Sequence, residues 1–385
     1  MITKFATVYA GHVDLPDMGQ MATPANERRY PNEHLATVFQ KTERLARLMD
    51  ECGYHAIWLA EHHFQREGYE CIPNILMQAV HLAHVTPRIK IGCGFNIAPM
   101  WHPLRLAEDY ATADILTGGR TIFGLGRGYH SREVETFGAP ILDQEANREL
   151  FEEQVEIIFK AFEHESFSHH GKHYTLPPAV PYRGYELREI TLVPRPVHRP
   201  VECWQPIVSA KPRALDFMVR HRIKGVIGGG AATMAEGPIL GYREAAARAG
   251  RDLAPGEDLC VGIFIHLADS RARAVREITP YYEEHVKMFA PLGFVPGITP
   301  SQVEAAARRG GWGAAGVPTV EHYMKTGAWF AGPPEELVAY LKDLESRYPG
   351  LQHVNVSISM GTPKAVMLEQ LRWFAKEVMP KFQAA

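Results

Sequence analysis

Two periods alternate along this chain. Short apolar runs of strand length are each followed by a stretch in which apolar residues recur at helical spacing. The first kind predicts strands over 2–10, 56–60, 88–96, 121–125, 206–210, 225–228, 259–267 and 354–360. The second predicts helices over 34–52, 73–85, from Pro103 to the Gly118-Gly119 stop, 145–163, from Pro212 onward, 235–249, 270–289, 335–347 and 363–379. In 34–52 the inner face is Leu35, Phe39, Leu45 and Leu48 or Met49; in 145–163 it is Phe151, Val155, Ile158 and Phe162. Eight strands, each followed by a helix, make the count of an α/β fold closed as a (β/α)8 TIM barrel, here a single domain over 1–385. An open doubly wound sheet is the alternative. The run of single βα units and the lack of a GxGxxG turn argue against it.

Three stretches break the rhythm: 11–33, 164–205 and 290–328. The second holds Pro177-Pro178, Pro181, Pro194, Pro196 and Pro200, so it is neither a helix nor a central strand but a long surface connection. The other two are longer than ordinary connections and are expected to cover a site, with 290–328 as a lid.

Composition changes this picture only by exclusion. Of the 385 residues, 46% are hydrophobic and 22% charged, which is globular. The net charge of −3, without a Lys/Arg block, gives no nucleic-acid or membrane-surface patch. No apolar run approaches the roughly 20 residues of a membrane helix, and the first residues are too polar for a signal peptide. Cys52, Cys71, Cys93, Cys203 and Cys260 are odd in number and lack CxxC spacing, so reduced thiols in a cytoplasmic protein are expected.

The candidate chemistry collects where strands end. Glu61-His62-His63 follows the strand 56–60. Adjacent histidines point to opposite sides of a strand, so a two-histidine metal chelate is not expected. One of them facing the barrel mouth reads either as a packed core imidazole or as an acid–base group. Gly92-Cys93-Gly94-Phe95-Asn96 carries two glycines in a strand, either a packing irregularity or a floor approached closely by a flat ligand, with Asn96 for its polar edge. Gly124-Leu125-Gly126-Arg127-Gly128 is either a plain turn or an anion cradle, and Arg148 can add a second positive charge. Ser209-Ala210-Lys211-Pro212 opens a helix whose N-terminus suits a phosphate or is simply capped. Together these point to a flat, phosphate-bearing cofactor. Tyr9, His12, Trp58, Phe95 and Trp312 are the expected pocket walls.

At these residues the chain resembles the bacterial luciferase-like flavin monooxygenases. Three motifs carry the likeness in order: Ala60-Glu61-His62-His63-Phe64, His102-Pro103-Leu104-Arg105-Leu106-Ala107-Glu108-Asp109, and the run from Gly119 to Gly128. Gly332-Pro333-Pro334-Glu335-Glu336 and Phe374-Ala375-Lys376-Glu377-Val378-Met379-Pro380 extend it to the C-terminal part. The resemblance implies a homodimeric barrel that takes reduced FMN from a separate flavin reductase and uses O2 on a small organic substrate. Some members use the deazaflavin F420 for hydride transfer instead, and a non-catalytic flavin-binding partner subunit is a third possibility. It implies His62 as the active-site histidine, His63 as its neighbour, a cis Gly94–Phe95 peptide under the flavin ring, and Arg127, Gly128, Arg148, Ser209, Ala210 and Lys211 around the phosphate. The chain departs from luciferase at Gly126, where a reactive cysteine stands, so light emission does not follow. It also departs at Lys211, where the family has serine, and throughout 290–328.

Overall fold

The computed structural model describes residues 1–228 and 235–382. Eight parallel strands close on themselves: β1 (Lys4–Tyr9), β2 (Ala56–Leu59), β3 (Lys90–Cys93), β4 (Thr121–Gly126), β5 (Cys203–Pro206), β6 (Lys224–Ile227), β7 (Leu259–Leu267) and β8 (His353–Ser357). Neighbours in sequence are neighbours in the barrel, and Cys203 pairing with Phe123 and Lys4 with His353 complete the ring. The outer helices include α1 (Thr37–Glu51), α2 (Ile75–Val85), α3 (Pro103–Leu116), α4 (Gln144–Glu163), α5 (Pro212–Arg220), α6 (Glu236–Arg248), α7 (Arg271–Phe289) and α8 (Lys364–Glu377). A TIM barrel is therefore observed, as expected.

Strand burial explains the closure. β2 and β4 are buried along their whole length, because one side faces the barrel interior and the other the helices. The lower interior is filled by Trp58 and Trp204, edge to face at 5.8 Å, with Ala6, Ala56, Ile122, Val226 and Cys260. Gly92 makes this packing possible: a Cβ there would lie 2.3 Å from the Trp58 ring. Trp58 is thus core, not pocket wall.

Several boundaries differ from the sequence reading. β5 spans 203–206, not 206–210, because Cys203 and Trp204 carry its buried side chains and Pro206 ends it. In α1 the inward residue is Val38; Phe39 is 41% exposed. The expected connection 164–205 is shortened at its end by β5: residues 164–202 connect, holding two minimal antiparallel hairpins, while Cys203–Gln205 belong to the barrel.

The largest correction concerns 290–328. It is not patternless: it forms helices Pro300–Ala306, Trp312–Ala315 and Val320–Lys325, followed by the strand Trp329–Gly332 beside β7. Trp312, Val317, Val320 and Tyr323 build a second apolar core against Ile278, Tyr282 and Val286 of α7. Trp312 accordingly faces this core. The loop 11–33 is tied to the same helix. Buried Arg28 pairs with Asp17 at 2.7 Å and Glu284 at 3.1 Å, and Lys287 Nζ donates to the Gly19 and Thr23 carbonyls. Helices this short, of seven, four and six residues, give no sustained period, which is why the pattern was invisible.

Candidate active site

At the C-terminal mouth of the barrel lies a cavity of about 620 Å³. That is the face where barrel loops assemble sites. Its floor comes from Gly94, Phe95 and Ile97, one flank from Gly126, Arg127, Gly128 and Tyr129, and another from Ser209 and Lys211. The Gly94–Phe95 peptide is cis. Gly124 lets β3 and β4 approach closely: a Cβ on it would sit 1.8 Å from the Cys93 carbonyl oxygen and 2.9 Å from the Phe95 ring.

His62 is buried at the cavity edge and held from both sides. Nδ1 lies 3.2 Å from Glu133 Oε2, and Nε2 lies 3.0 Å from the Tyr129 hydroxyl and 3.3 Å from Glu70 Oε1. Tyr129 donates to Glu70 Oε1 at 2.8 Å, which leaves its oxygen to accept from His62. Glu133 offers only acceptors, so both ring nitrogens are donors and the pattern is that of an imidazolium. Burial opposes the charge, but Glu70 and Glu133 outweigh it and hold the pKa above the ordinary 6.5. Gln65 Nε2 donates to Glu133 at 2.8 Å, and His130 Nε2 lies 2.9 Å from Glu70 Oε2.

The anion end is built on α4 and α5. Arg127 donates to Asn147 Oδ1 at 2.8 Å and to the Gln144 carbonyl and side-chain oxygens at 3.1 and 3.0 Å. Burial and the neighbouring Arg148 both push its pKa down. The one ion pair of Arg148 among the described residues is a loose 3.9 Å contact to Glu152. The Lys211 ammonium has no hydrogen bond or ion pair among them, and stands where Pro212 starts α5. Three cations at this end of the cavity, against Glu145 and Glu152 beside Arg127, leave it positive enough to suit an anion.

The luciferase-like monooxygenase family matches residues 18–349 of this chain. The chain belongs to that family. The oxygenase component of the flavin-dependent trigonelline monooxygenase of Acinetobacter baylyi is 27% identical over 185 residues, 48% of this chain and 47% of that protein. The matches span less than half the length of the first curated relatives. The oxygenating constituent of 3,6-diketocamphane monooxygenase from Pseudomonas putida, solved with FMN, superposes with a TM-score of 0.71 at 18% identity, covering all of both chains. An F420-dependent secondary alcohol dehydrogenase superposes at 0.67 with 14% identity, again over both whole chains. These two share the fold.

In this member of the luciferase-like family the cavity gathers His62, Gly94, Phe95, Arg127, Gly128, Arg148, Ser209 and Lys211 from the sequence-predicted set, together with Tyr9 and His12. It does not gather Asn96, His63 or Ala210. Strand alternation turns Phe95 and Ile97 to the cavity and Asn96 away, where its amide donates to the Gly124 carbonyl at 3.0 Å. His63 lies beyond the end of β2 and turns outward, to Glu61 Oε1 at 3.1 Å and to Phe64 and Phe137. Ala210 is exposed and packs toward Gly241 of α6. Glu70, Glu133 and His130 were not foreseen. Only Tyr129-His130, directly after the glycine–arginine run, and Glu133 one turn later offered a local signal. The His62, Glu70, His130 and Glu133 ligand atoms lie within 4.8 Å of one another, close enough to surround a cation. Each is already hydrogen-bonded, so the network is complete without one.

The raised His62 pKa fixes the sign of a stability effect. The imidazolium's contribution is fully present below pH 6.5 and is lost as pH rises through its higher folded-state value. Thermal melts of the wild type and Glu133→Gln are expected to differ most below pH 6.5 and to converge as the pH rises through the raised folded-state value. A difference independent of pH would contradict the charged pair.

Proposed function

We propose that this enzyme binds reduced FMN supplied by a separate flavin reductase, and uses it with O2 to oxygenate a small organic substrate. The observation that carries the reading is one cavity with Arg148 and Lys211 at one end, a floor of Gly94, Phe95 and Ile97 beneath it and His62 at its edge. These residues fit FMN: Arg148, Lys211 and a helix N-terminus suit a phosphate, and Gly94, Phe95 and Ile97 give a floor on which a flat ring can lie. When bound, reduced FMN supplies the electrons that activate O2. Arg127, Arg148, Ser209 and Lys211 hold the phosphate end and so set the ring's position. His62 holds a proton at Nε2, and the Tyr129 hydroxyl with Glu70 behind it orients the ring. The apolar residues across the mouth, Phe264, Phe289, Leu292 and Phe294, exclude water from the reacting groups. The naming of the trigonelline relative as an oxygenase component supports the separate reductase. The barrel fold shared with an F420 enzyme supplies the rival cofactor.

Calorimetric titration of the purified protein with reduced FMN and with F420 under anaerobic conditions tests the reading. Micromolar FMN binding with weaker F420 binding is expected. The reverse order would replace oxygenation by hydride transfer. Arg148→Ala is expected to weaken FMN binding about ten- to a hundredfold, the worth of a charge-assisted hydrogen bond. An unchanged affinity would remove Arg148 from the phosphate site. Sedimentation of the same sample reads the proposed homodimer.

A further inference from the structure

His285 of α7 is a second histidine at the cavity, and nothing in the cofactor reading uses it. Its Nδ1 is enclosed and meets no hydrogen-bond partner, and Nε2 makes none among the described residues. The imidazole is surrounded by rings: Phe264 at 4.7 Å, Phe289 at 4.5 Å and Trp329 at 5.2 Å between centroids. Burial in this setting pushes its pKa down to about 3, so it is neutral at physiological pH. A neutral imidazole carries one donor and one acceptor. Buried polar groups left without partners are uncommon and point to a missing ligand.

The surrounding wall gives the chemistry of that ligand. Phe264, Phe289, Leu292, Phe294 and Met360 are its apolar surface. Phe294 stands edge-on to Tyr129 at 4.8 Å, so the wall runs up to the group that holds His62. The charged residues of α7 face the other way: Glu284 and Lys287 pair with each other and with the loop 11–33. The two carboxylates that reach the cavity are already engaged. Glu70 is held by Tyr129 and His130, and Glu61 by the Ile97 amide and Trp101 Nε1, each at 2.8 Å. Among the described residues no Lys or Arg lines this wall: Arg127, Arg148 and Lys211 belong to the anion end, and the His62 imidazolium at the edge is already paired with Glu70 and Glu133. A carboxylate or ammonium on the substrate would be desolvated here without a counter-charge.

We propose that this aromatic wall is the substrate site, that it takes an uncharged, flat ring compound, and that His285 hydrogen-bonds the carbonyl or hydroxyl oxygen such a compound carries. The inference rests on the flavin-dependent reading of the same cavity. His285 would fix the oxygen-bearing edge, while aromatic contacts with Phe264 and Phe289 select a ring over a flexible chain.

Calorimetric titration of the FMN-loaded protein with acetophenone, and with benzoate and phenyltrimethylammonium as charged counterparts, tests it. Acetophenone is expected to bind at least about tenfold tighter than either ion. His285→Phe keeps a ring in the wall and removes both nitrogens; it should weaken acetophenone about tenfold, the worth of one hydrogen bond. His285→Gln should recover part of that loss. FMN affinity should be unchanged in both variants, which also shows that they fold. No acetophenone binding by the wild type, tighter binding of either ion, or an equal acetophenone affinity in His285→Phe with FMN still bound would overturn the proposal. Failure of the wild type to bind FMN would instead strike the cofactor reading.

Discussion

Replacing His62 by alanine should lower product formation about a hundred- to ten-thousandfold, the usual worth of a positioned acid–base group. The ring is the only side chain that joins the cavity to both Glu133 and the Tyr129–Glu70 pair among the described residues. Its loss removes the donor and leaves two buried carboxylates facing each other without the imidazolium between them. Uncompensated buried charge of this kind also lowers stability, so activity alone would not separate the causes. His62→Gln keeps a donor of similar reach and provides the control. Both variants should still bind FMN, because the anion end is built from α4 and α5. Reduced flavin should still be consumed by O2, with hydrogen peroxide released in place of oxygenated product. Single-turnover mixing that measures product and peroxide together checks this. Unchanged product yield in both variants would move the proton-handling role elsewhere.

The second large effect is on folding. Gly124→Ala should destabilise the protein by about 3 kcal/mol or more, at the severe end of overpacking. The added Cβ would lie 1.8 Å from the Cys93 carbonyl oxygen. That atom is backbone, buried between β3 and β4, and has no flexible side chain to swing aside. Relief requires the two strands to part, which would carry Phe95 and the cavity floor with them. A matched control is Gly237→Ala in α6, where nothing lies within 4 Å of the added atom. There the change should be neutral or stabilising by about 0.5–1 kcal/mol through helix propensity. Urea melts of both variants decide it: equal midpoints would mean that β3 and β4 are not held as closely as described.

How far the site was legible can be argued residue by residue. His62 was found because a strand ended just before it, and strand ends at this face of a barrel meet the cavity. Arg127, Arg148 and Lys211 were found because each follows a strand or opens a helix, so short-range rules place it. Asn96 and His63 were placed on the wrong side because alternation depends on the register at the strand's end. For Asn96 that register is set by the short strand Asn96–Ile97 pairing with Leu125 and Gly126, whereas His63 lies past the end of β2. Glu70 and Glu133 were missed because their partner is His62 itself, with Glu133 seventy-one positions away. His285 was missed because, on a helix with an apolar inner face, it reads as one more polar interruption.

The sequence by itself determined the alternation of strand and helix, the closed barrel that follows from it, and the groups carried to the mouth by strand ends. Those depend on periods of two and 3.6 residues, which are local. Only the tertiary structure decided the partners of His62, the folding of 290–328 against α7, and the unpartnered His285 among phenylalanines. Those depend on contacts between residues far apart in the chain. Such contacts leave no period, because each is set by how two packed surfaces meet.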